Sequence, residues 1–328
     1  MKRKGNLYSR IYEPDNLYTA YYKAKKRKQC KREILRFSAN YDENLRRIGQ
    51  QLKDETFTFG NYHFFKVYDP KERVICASAF EERIVQHAVM NICEQDFERL
   101  QIFHSYACRH GKGTFAAVAY MQTQAKKHEW YLKLDVRKYF DSIDHDILKR
   151  QLARMYKDEQ LLILFYNIID SYSVEETGAG LPIGNLTSQH FANLYLSFAD
   201  HYAIEELKTG YVRYMDDMFI FGSSYQAMRR CFEQFAEFMH SRLNLSLKPE
   251  TINRCSHGVP ALGFMIFPSV IRLNRRSKLR FIDKTAYFSR QFDEGKISEQ
   301  EYVRHINALQ GFIRHADTAK LILRTANS

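Results

Sequence analysis

Hydrophobic and polar positions along the chain alternate with two periods, which predict helices in some segments and strands in others. Apolar residues recur with a helical period from Phe80 to Leu100 and from Thr114 to Lys127. The segments Asn61 to Val67 and Arg73 to Cys76 alternate as strands do, around an Asp-Pro-Lys-Glu turn at residues 69–72. These two strands are predicted to form a hairpin.

The rest of the chain mixes both kinds of element. Trp130 to Val136 is predicted as a strand that carries an acid near its end, and Tyr211 to Phe221 as a hairpin around Asp216 and Asp217. A further strand is predicted at Ala261 to Phe267, and helices at Ile147 to Tyr172, Leu186 to Leu207, Gln226 to Leu243 and over roughly the last 45 residues, broken near Gly295. Because strands and helices do not alternate strictly, we expect an α+β fold with a largely antiparallel sheet.

Composition is that of an ordinary globular protein and argues against a membrane protein. Of the 328 residues, 45% are hydrophobic and 27% charged, and no apolar stretch approaches the roughly 18 residues needed to span a bilayer. The charged N-terminus lacks the apolar region of a secretory signal, so the expected localisation is cytoplasmic. The six cysteines contain no C-x-x-C pair and are expected to be reduced thiols outside any metal site.

A net charge of +12 indicates a polyanionic partner, most commonly a nucleic acid. The charge is clustered: Lys23 to Arg32 contains seven cations and Ile271 to Arg280 contains five. Either run is equally compatible with a solvated helix face. With a nucleic acid bound, both runs would follow its phosphates and make binding salt-dependent, and the first run could instead bind a partner protein.

The sharpest chemical signal is the pair Asp216 and Asp217 inside an apolar hairpin. Two adjacent carboxylates are costly to bury, so the pair requires a compensating cation unless it lies in an exposed turn. Asp135 ends an apolar strand earlier in the chain. If the two strand ends are neighbours in one sheet, three carboxylates converge and offer the hard oxygen ligands that Mg²⁺ prefers.

These segments resemble a known family. Leu134 to Ile143 followed by Tyr214 to Asp217 is similar to motifs A and C of reverse transcriptases, and the similarity extends to Glu82–His87, Ser105–Arg109 and the primer-grip segment Leu262–Phe264. The resemblance implies an RNA-directed DNA polymerase with the right-hand fold of fingers, palm and short helical thumb. Residues 1–60 would form a basic helical segment of the fingers, 61–270 the fingers and palm, and 271–328 the thumb.

The resemblance also assigns a catalytic centre. Asp135, Asp216 and Asp217 would be the catalytic residues and, together with Val136, would bind two Mg²⁺ ions, with Mn²⁺ as the alternative metal. Two such ions can activate the attacking 3′-hydroxyl and stabilise the leaving pyrophosphate.

Further residues would bind the incoming dNTP. In the family, the aromatic residue at the position of Phe140 blocks a ribose 2′-hydroxyl, and Lys66 and Arg73 match the cations that neutralise the triphosphate. Lys248 resembles a lysine that protonates pyrophosphate. Core packing for Phe140, and plain surface positions for the three cations, are the structural alternatives.

One motif narrows the family further. Most reverse transcriptases have Gln-Gly where this chain has Ile183-Gly184, and Ser-Pro where it has Ser188-Gln189. Both departures match reverse transcriptases of diversity-generating retroelements, which would make Ile183, Gly184 and Gln189 nucleotide-binding. This resemblance implies a dedicated template RNA, a cDNA product with errors at template adenines, and a small basic accessory variability protein as partner.

Three other interpretations remain open at this stage. The motif could reflect ordinary sequence drift, and the chain could be another bacterial reverse transcriptase of the retron, group II-derived or phage-defence type. A non-catalytic RNA-binding scaffold on the same fold is the interpretation from a different class, and the three intact acids argue against it.

Overall fold

The computed structural model describes residues 2–68, 72–175, 177–318 and 321. The chain forms two compact units, each assembled from separate stretches of sequence. Unit 1 comprises Met1–Phe103, Val136–His201 and Ala236–Lys248, and unit 2 comprises His104–Asp135, Tyr202–Phe235 and Pro249–Ser328. Within the described residues, no helix combines the length and the apolar character needed to cross a membrane.

Unit 1 is mainly helical. Its helices are α1 (Tyr8–Ile11), α2 (Pro14–Lys25), α3 (Arg32–Ala39), α4 (Tyr41–Lys53), α5 (Phe80–Leu100), α7 (His145–Met155), α8 (Glu159–Asp170) and α9 (Leu186–His201). Helix α5 has the predicted bounds, and it packs against α1, α2 and α9. Pro14 stands at the first position of α2, where its fixed φ favours the helix and its missing N–H costs nothing.

A two-stranded sheet completes unit 1. Strands β1 (Tyr62–Tyr68) and β2 (Glu72–Ser78) pair antiparallel, which confirms the predicted hairpin. Residues 69–71 of the predicted turn lie outside the described residues.

The prediction of one helix from Ile147 to Tyr172 was wrong, because α7 ends before Asp158 and α8 begins after it. The Asp158 carboxylate accepts a hydrogen bond from Leu161 N and so caps α8. The same side chain accepts from Leu7 N at 2.6 Å and Tyr8 N at 3.1 Å. These contacts with the distant N-terminal segment favour a cap over a continuous helix.

Unit 2 contains a four-stranded antiparallel sheet with strand order β4-β5-β3-β6. Its strands are β3 (Trp130–Leu134), β4 (Gly210–Tyr214), β5 (Asp217–Gly222) and β6 (Thr251–Arg254), and α6 (Thr114–Lys127) packs against it with the predicted bounds. Helix α10 (Tyr225–Leu243) follows β5, and its residues from Ala236 onward belong to unit 1. Phe219, Phe221 and Tyr131 of the sheet and Met121 of α6 belong to one buried core. The predicted α+β class with antiparallel sheets is confirmed.

A smaller sheet and two helices form the rest of unit 2. Strands β7 (Val259–Ala261), β8 (Phe264–Ile266) and β9 (Ile271–Leu273) precede α11 (Arg275–Asp293) and α12 (Glu299–Ile313), which are separated near Gly295 as predicted. The single strand predicted at Ala261 to Phe267 was wrong, because Leu262 (φ 51°) and Gly263 (φ 91°) turn the chain between β7 and β8. Both angles are those of a tight hairpin turn.

Candidate active site

The acids at positions 216 and 217 lie where two buried strands of unit 2 are joined. Strand β4 pairs with β5, and the last pair of this ladder joins Tyr214 to Asp217. Met215 and Asp216 therefore form a two-residue turn, and both acids are half-buried. The predicted hairpin is confirmed at this position.

The backbone of this turn is strained, and the buried side chain of Arg213 stabilises it. Met215 has a φ of 54°, a left-handed conformation that costs a non-glycine residue roughly 1–2 kcal/mol. Such positive φ values are what tight hairpin turns require. Arg213, which is fully buried, donates a hydrogen bond from Nη1 to Met215 O at 3.1 Å. The cation thus fixes the carbonyl that precedes Asp216.

The segment His104–Tyr106 extends the sheet beside Arg213. Arg213 N donates to His104 O at 3.0 Å, and Tyr106 N donates to Arg213 O at 3.0 Å. Burial lowers the pKa of His104 to about 4 and raises the pKa of Tyr106 to about 12. Both flanking side chains are therefore neutral near pH 7.

Asp135 is brought next to this turn by the pairing of β3 with β5. The last recorded pair of that ladder joins Leu134 to Met218. The next residue along each strand is an acid, Asp135 after Leu134 in β3 and Asp217 before Met218 in β5. The backbone thus places Asp135 directly beside the acid-bearing hairpin.

Lys133 supplies a positive charge to the same group. Side chains alternate along a strand, so Lys133 shares a face with Asp135. Its Nζ lies 3.9 Å from Asp217 Oδ1, with side chains 29% and 36% exposed, and donates to Pro260 O at 3.1 Å. The same Nζ is 5.5 Å from the ring centroid of Phe219. Lys133 is therefore one cation that offsets the negative charge of these acids.

The donor chemistry of Asp135, Asp216 and Asp217 fits a divalent cation, since all three offer hard carboxylate oxygens. In the part of the chain that the structure describes, no group of three or more His, Cys, Asp or Glu side chains is arranged to hold a metal ion by itself. Mg²⁺ sites in enzymes that act on phosphates commonly use one or two carboxylates and leave the other positions to water and substrate. The carboxylates match that type of open site, and their metal-binding role remains a prediction.

The other predicted site residues belong to unit 1, where one loop is anchored to the β1–β2 hairpin. Cys76 N in β2 donates to Ile183 O at 2.8 Å. Gly184 has a φ of 120°, and a Cβ on it would lie 2.9 Å from Ile75 Cγ2. Only glycine fits both the angle and the close approach. Ile183 is half-buried in this loop.

Lys66 and Arg73 are not brought onto one face of that hairpin. In the register, Lys66 pairs with Val74 and Val67 pairs with Arg73, so the two cations project to opposite faces. Lys66 Nζ forms an exposed ion pair with Glu72 Oε1 at 2.6 Å. Arg73 shares its face with Ile75, which contacts the Ile183–Gly184 loop. Of the two cations, Arg73 is on the side of that loop.

Three further predicted residues lie in motif A or next to it, namely Phe140, Val136 and Lys248. Phe140 is half-buried in a 3₁₀ turn, whereas the adjacent Tyr139 is buried and donates a hydrogen bond from its hydroxyl to Ala192 O. Val136 forms an isolated bridge with Leu247, the residue before the exposed Lys248.

Gln189 is half-buried in the first turns of α9. The nucleotide-binding roles of all these unit 1 residues remain predictions.

Sequence reasoning missed Lys133 and Arg213. Both are cations inside apolar strands, and the alternation of β3 already puts Lys133 on the face of Asp135. That signal was available in the sequence. The contact of Arg213 with the turn carbonyl was not, because it depends on the conformation of Met215.

The sequence of this chain is similar to that of known proteins. Residues 67–266 match the family model described as reverse transcriptase (RNA-dependent DNA polymerase). The group II intron-encoded protein LtrA of Lactococcus lactis is 25% identical over 61% of this chain and 35% of its own length. The putative COX1/OXI3 intron 1 protein of Saccharomyces cerevisiae is 24% identical over 48% of this chain and 20% of its own. The chain thus spans about a fifth to a third of these relatives.

Solved structures agree on the fold. A telomerase of Candida albicans, in complex with a fragment of telomeric RNA, matches with a TM-score of 0.52 at 10% identity and covers 78% of this chain and 55% of its own. At this identity the likeness concerns the fold alone. It confirms the predicted right-hand polymerase fold with antiparallel sheets.

Proposed function

Because this chain belongs to the reverse transcriptase (RNA-dependent DNA polymerase) family, we propose that it is an enzyme that copies RNA into DNA from dNTPs. The observation that supports this proposal is the pairing of β3 with β5, which ends at Leu134 and Met218, the neighbours in sequence of Asp135 and Asp217. The chain's charge of +12 is consistent with a nucleic-acid template and product.

In this mechanism Asp135, Asp216 and Asp217 would hold divalent metal ions through their carboxylate oxygens. When bound, two such ions activate the primer 3′-hydroxyl and stabilise the negative charge on the leaving pyrophosphate. Before they bind, the Lys133 ammonium near Asp217 offsets the repulsion among the carboxylates. Arg213 donates a hydrogen bond to the carbonyl of Met215 and so would fix the orientation of Asp216 before a metal ion binds.

Residues of unit 1 would orient the nucleotide. Arg73 carries a positive charge on the loop side of the β1–β2 hairpin and would neutralise the triphosphate. Phe140 is half-buried beside the buried Tyr139, which leaves its ring available to exclude a 2′-hydroxyl. Lys248 would protonate the pyrophosphate.

We further propose that the enzyme serves a diversity-generating retroelement. Ile183-Gly184 and Ser188-Gln189 support this assignment, because both pairs depart from the commoner pattern in the same direction. The cDNA would then carry errors at template adenines and would be used to diversify a target sequence by retrohoming. The partners would be a dedicated template RNA and a small basic accessory variability protein.

A reverse transcriptase of group II intron type is the second candidate. The 25% identity to a group II intron-encoded protein favours it. The neighbouring DNA distinguishes the two candidates: a template repeat beside a variable repeat supports the retroelement, and an intron that encloses the reading frame supports the alternative.

The activity is tested by extension of a DNA primer on an RNA template in Mg²⁺. We expect the purified protein to extend the primer and Asp216→Ala to reduce extension to background, because one of the metal-binding carboxylates is removed. The isosteric Asp216→Asn variant controls for packing and should lose activity equally. RNA binding by all three proteins should be similar, and equal extension by the wild type and the Ala variant would refute catalysis in favour of a binding scaffold.

A further inference from the structure

A cationic pocket lies in unit 1 and shares no residue with the candidate site. It has a volume of about 500 Å³ and is formed by α7, α9 and the C-terminal end of α10. Among the residues that line it are Arg150, Gln151 and Arg154 of α7, Phe198 of α9, and Phe238 and Arg242 of α10. Three arginines from two helices therefore surround one pocket.

The charge of this pocket is unbalanced. Its lining contains no Asp or Glu, and within the described residues Arg150, Arg154 and Arg242 form no ion pair. Arg229 contrasts with them, because it pairs with both Glu233 and Glu250. Arg150 and Arg154 are four residues apart on one helix, so their like charges repel each other. An anion bound between them would relieve that repulsion.

The pocket also contains an aromatic ring and a buried amide oxygen, which could bind other parts of a ligand. The Arg154 guanidinium carbon lies 5.7 Å from the ring centroid of Phe198, which leaves a cation and an aromatic ring side by side. Gln151 is 4% exposed; its Nε2 donates to Tyr195 O at 3.4 Å, while its buried Oε1 accepts no hydrogen bond from the described residues. A ligand with phosphate, a flat ring and an N–H donor would satisfy all three features.

We propose that this pocket binds the phosphodiester backbone and a base of single-stranded RNA. Guanidinium groups bind phosphate through paired hydrogen bonds, and aromatic rings stack on bases without sequence preference. The proposal rests on the proposed function only for the choice of RNA, the molecule that the chain is inferred to copy. The pocket would hold a segment of that RNA which is not being copied.

The test reverses the charge at two of the arginines and measures the affinity for RNA as a function of salt concentration. The variant is Arg150→Glu with Arg154→Glu, and the matched control is Arg10→Glu with Lys53→Glu, two exposed cations of unit 1 outside the pocket. The probe is a fluorescent oligouridylate of about 30 nucleotides, long enough to reach beyond one binding groove. Both variants carry the same change in net charge, so long-range electrostatics cancels in the comparison.

We expect the pocket variant to bind this RNA roughly tenfold more weakly at low salt, and the slope of log K against log salt to fall by about 1.4, for two phosphate contacts at ~0.7 each. The control should leave the slope unchanged. Extension of a short primer–template duplex should be the same in both. If the pocket variant is poorly folded, Arg242→Glu on the other helix gives the same test with half the change in slope.

Two results would overturn the proposal. Equal weakening in the pocket variant and the control would mean that only net charge matters. Unchanged RNA binding combined with lost binding of a fluorescent ADP would mean that the pocket holds a free nucleotide. Failure of the wild type to extend any primer would refute the proposed function but not this one, because the RNA titration does not depend on catalysis.

Discussion

The molecule contains two β-hairpins that carry predicted site residues, and their surroundings are opposite. Strands β4 and β5 lie in a four-stranded sheet, and Met218, Phe219, Ile220 and Phe221 of β5 are all buried. Strands β1 and β2 form a sheet of two strands only, where Phe64 is 55% and Tyr68 71% exposed. The same local motif is thus part of the core in one unit and on the surface in the other.

This difference in burial agrees with the role that is predicted for each hairpin. Carboxylates that share metal ions must keep fixed positions, and burial on both faces supplies that rigidity. Residues that receive a substrate must adjust to it, and a hairpin with few buried contacts opens at low free-energy cost. The two hairpins therefore suggest a rigid support for the acids in unit 2 and an adaptable nucleotide-binding element in unit 1.

The largest expected effect concerns the stability of the two hairpins. Phe219→Ala should destabilise unit 2 by about 3–5 kcal/mol, because it removes a fully buried ring and leaves a cavity. Phe64→Ala should change stability by less than about 0.5 kcal/mol, because its ring is more than half exposed. Urea unfolding measures both, with hydrogen exchange of the β4–β5 amides to locate the change.

Phe219→Leu is the control for ring loss without a large cavity, and it should cost less than Phe219→Ala. Similar destabilisation by Phe219→Ala and Phe64→Ala would contradict the contrast between a buried and an exposed hairpin.

The second prediction separates the two faces of the exposed hairpin. Arg73→Ala should lower kcat/KM for dNTP by roughly 10- to 100-fold, the 1.5–3 kcal/mol of a hydrogen bond to a charged group. Lys66→Ala should lower it by less than about fivefold, because the exposed pair of Lys66 with Glu72 is worth under ~1 kcal/mol. Steady-state primer extension measures both constants. A larger loss with Lys66→Ala would reverse the assignment of the nucleotide-facing side.

The smallest expected effect concerns the loop anchored to β2. Ile183→Gln should reduce misincorporation opposite template adenines by roughly two- to tenfold, the 0.5–1.5 kcal/mol of a neutral hydrogen bond that Ile cannot make. Sequencing of cDNA from an adenine-containing template measures the error frequency. Ile183→Leu keeps the bulk without adding a polar group and should leave the frequency unchanged. An unchanged frequency in Ile183→Gln would exclude Ile183 as a source of error.

Much of this fold could be predicted from sequence where the signal is local. Helices α5 and α6 have their predicted bounds because their apolar period is unbroken, and the β4–β5 hairpin is evident from apolar strands around two acids. Strand β6 was missed, because Thr251–Arg254 has no apolar alternation and is a strand only by pairing with β3 at the edge of the sheet.

The acids of the candidate site could be predicted from the sequence, but the contacts and strand register around them could not. Asp135 and the two hairpin acids stand out because isolated carboxylates are rare in apolar strands. The opposite faces of Lys66 and Arg73 follow only from the register, which depends on how many residues form the turn. The hydrogen bonds of Asp158 with the distant residues Leu7 and Tyr8 could not be predicted from local sequence either.

The left-handed Met215 has a consequence for any attempt to move this site into another protein. A short peptide of β4, the turn and β5 lacks the neighbouring strand and the segment that pairs with Arg213, so it would relax to a conformation without that φ. Transplanting the four residues Tyr214 to Asp217 would transfer their sequence but not the orientation of the two acids. A transplant that keeps this turn must therefore also include β3 and the segment His104–Tyr106, which support it.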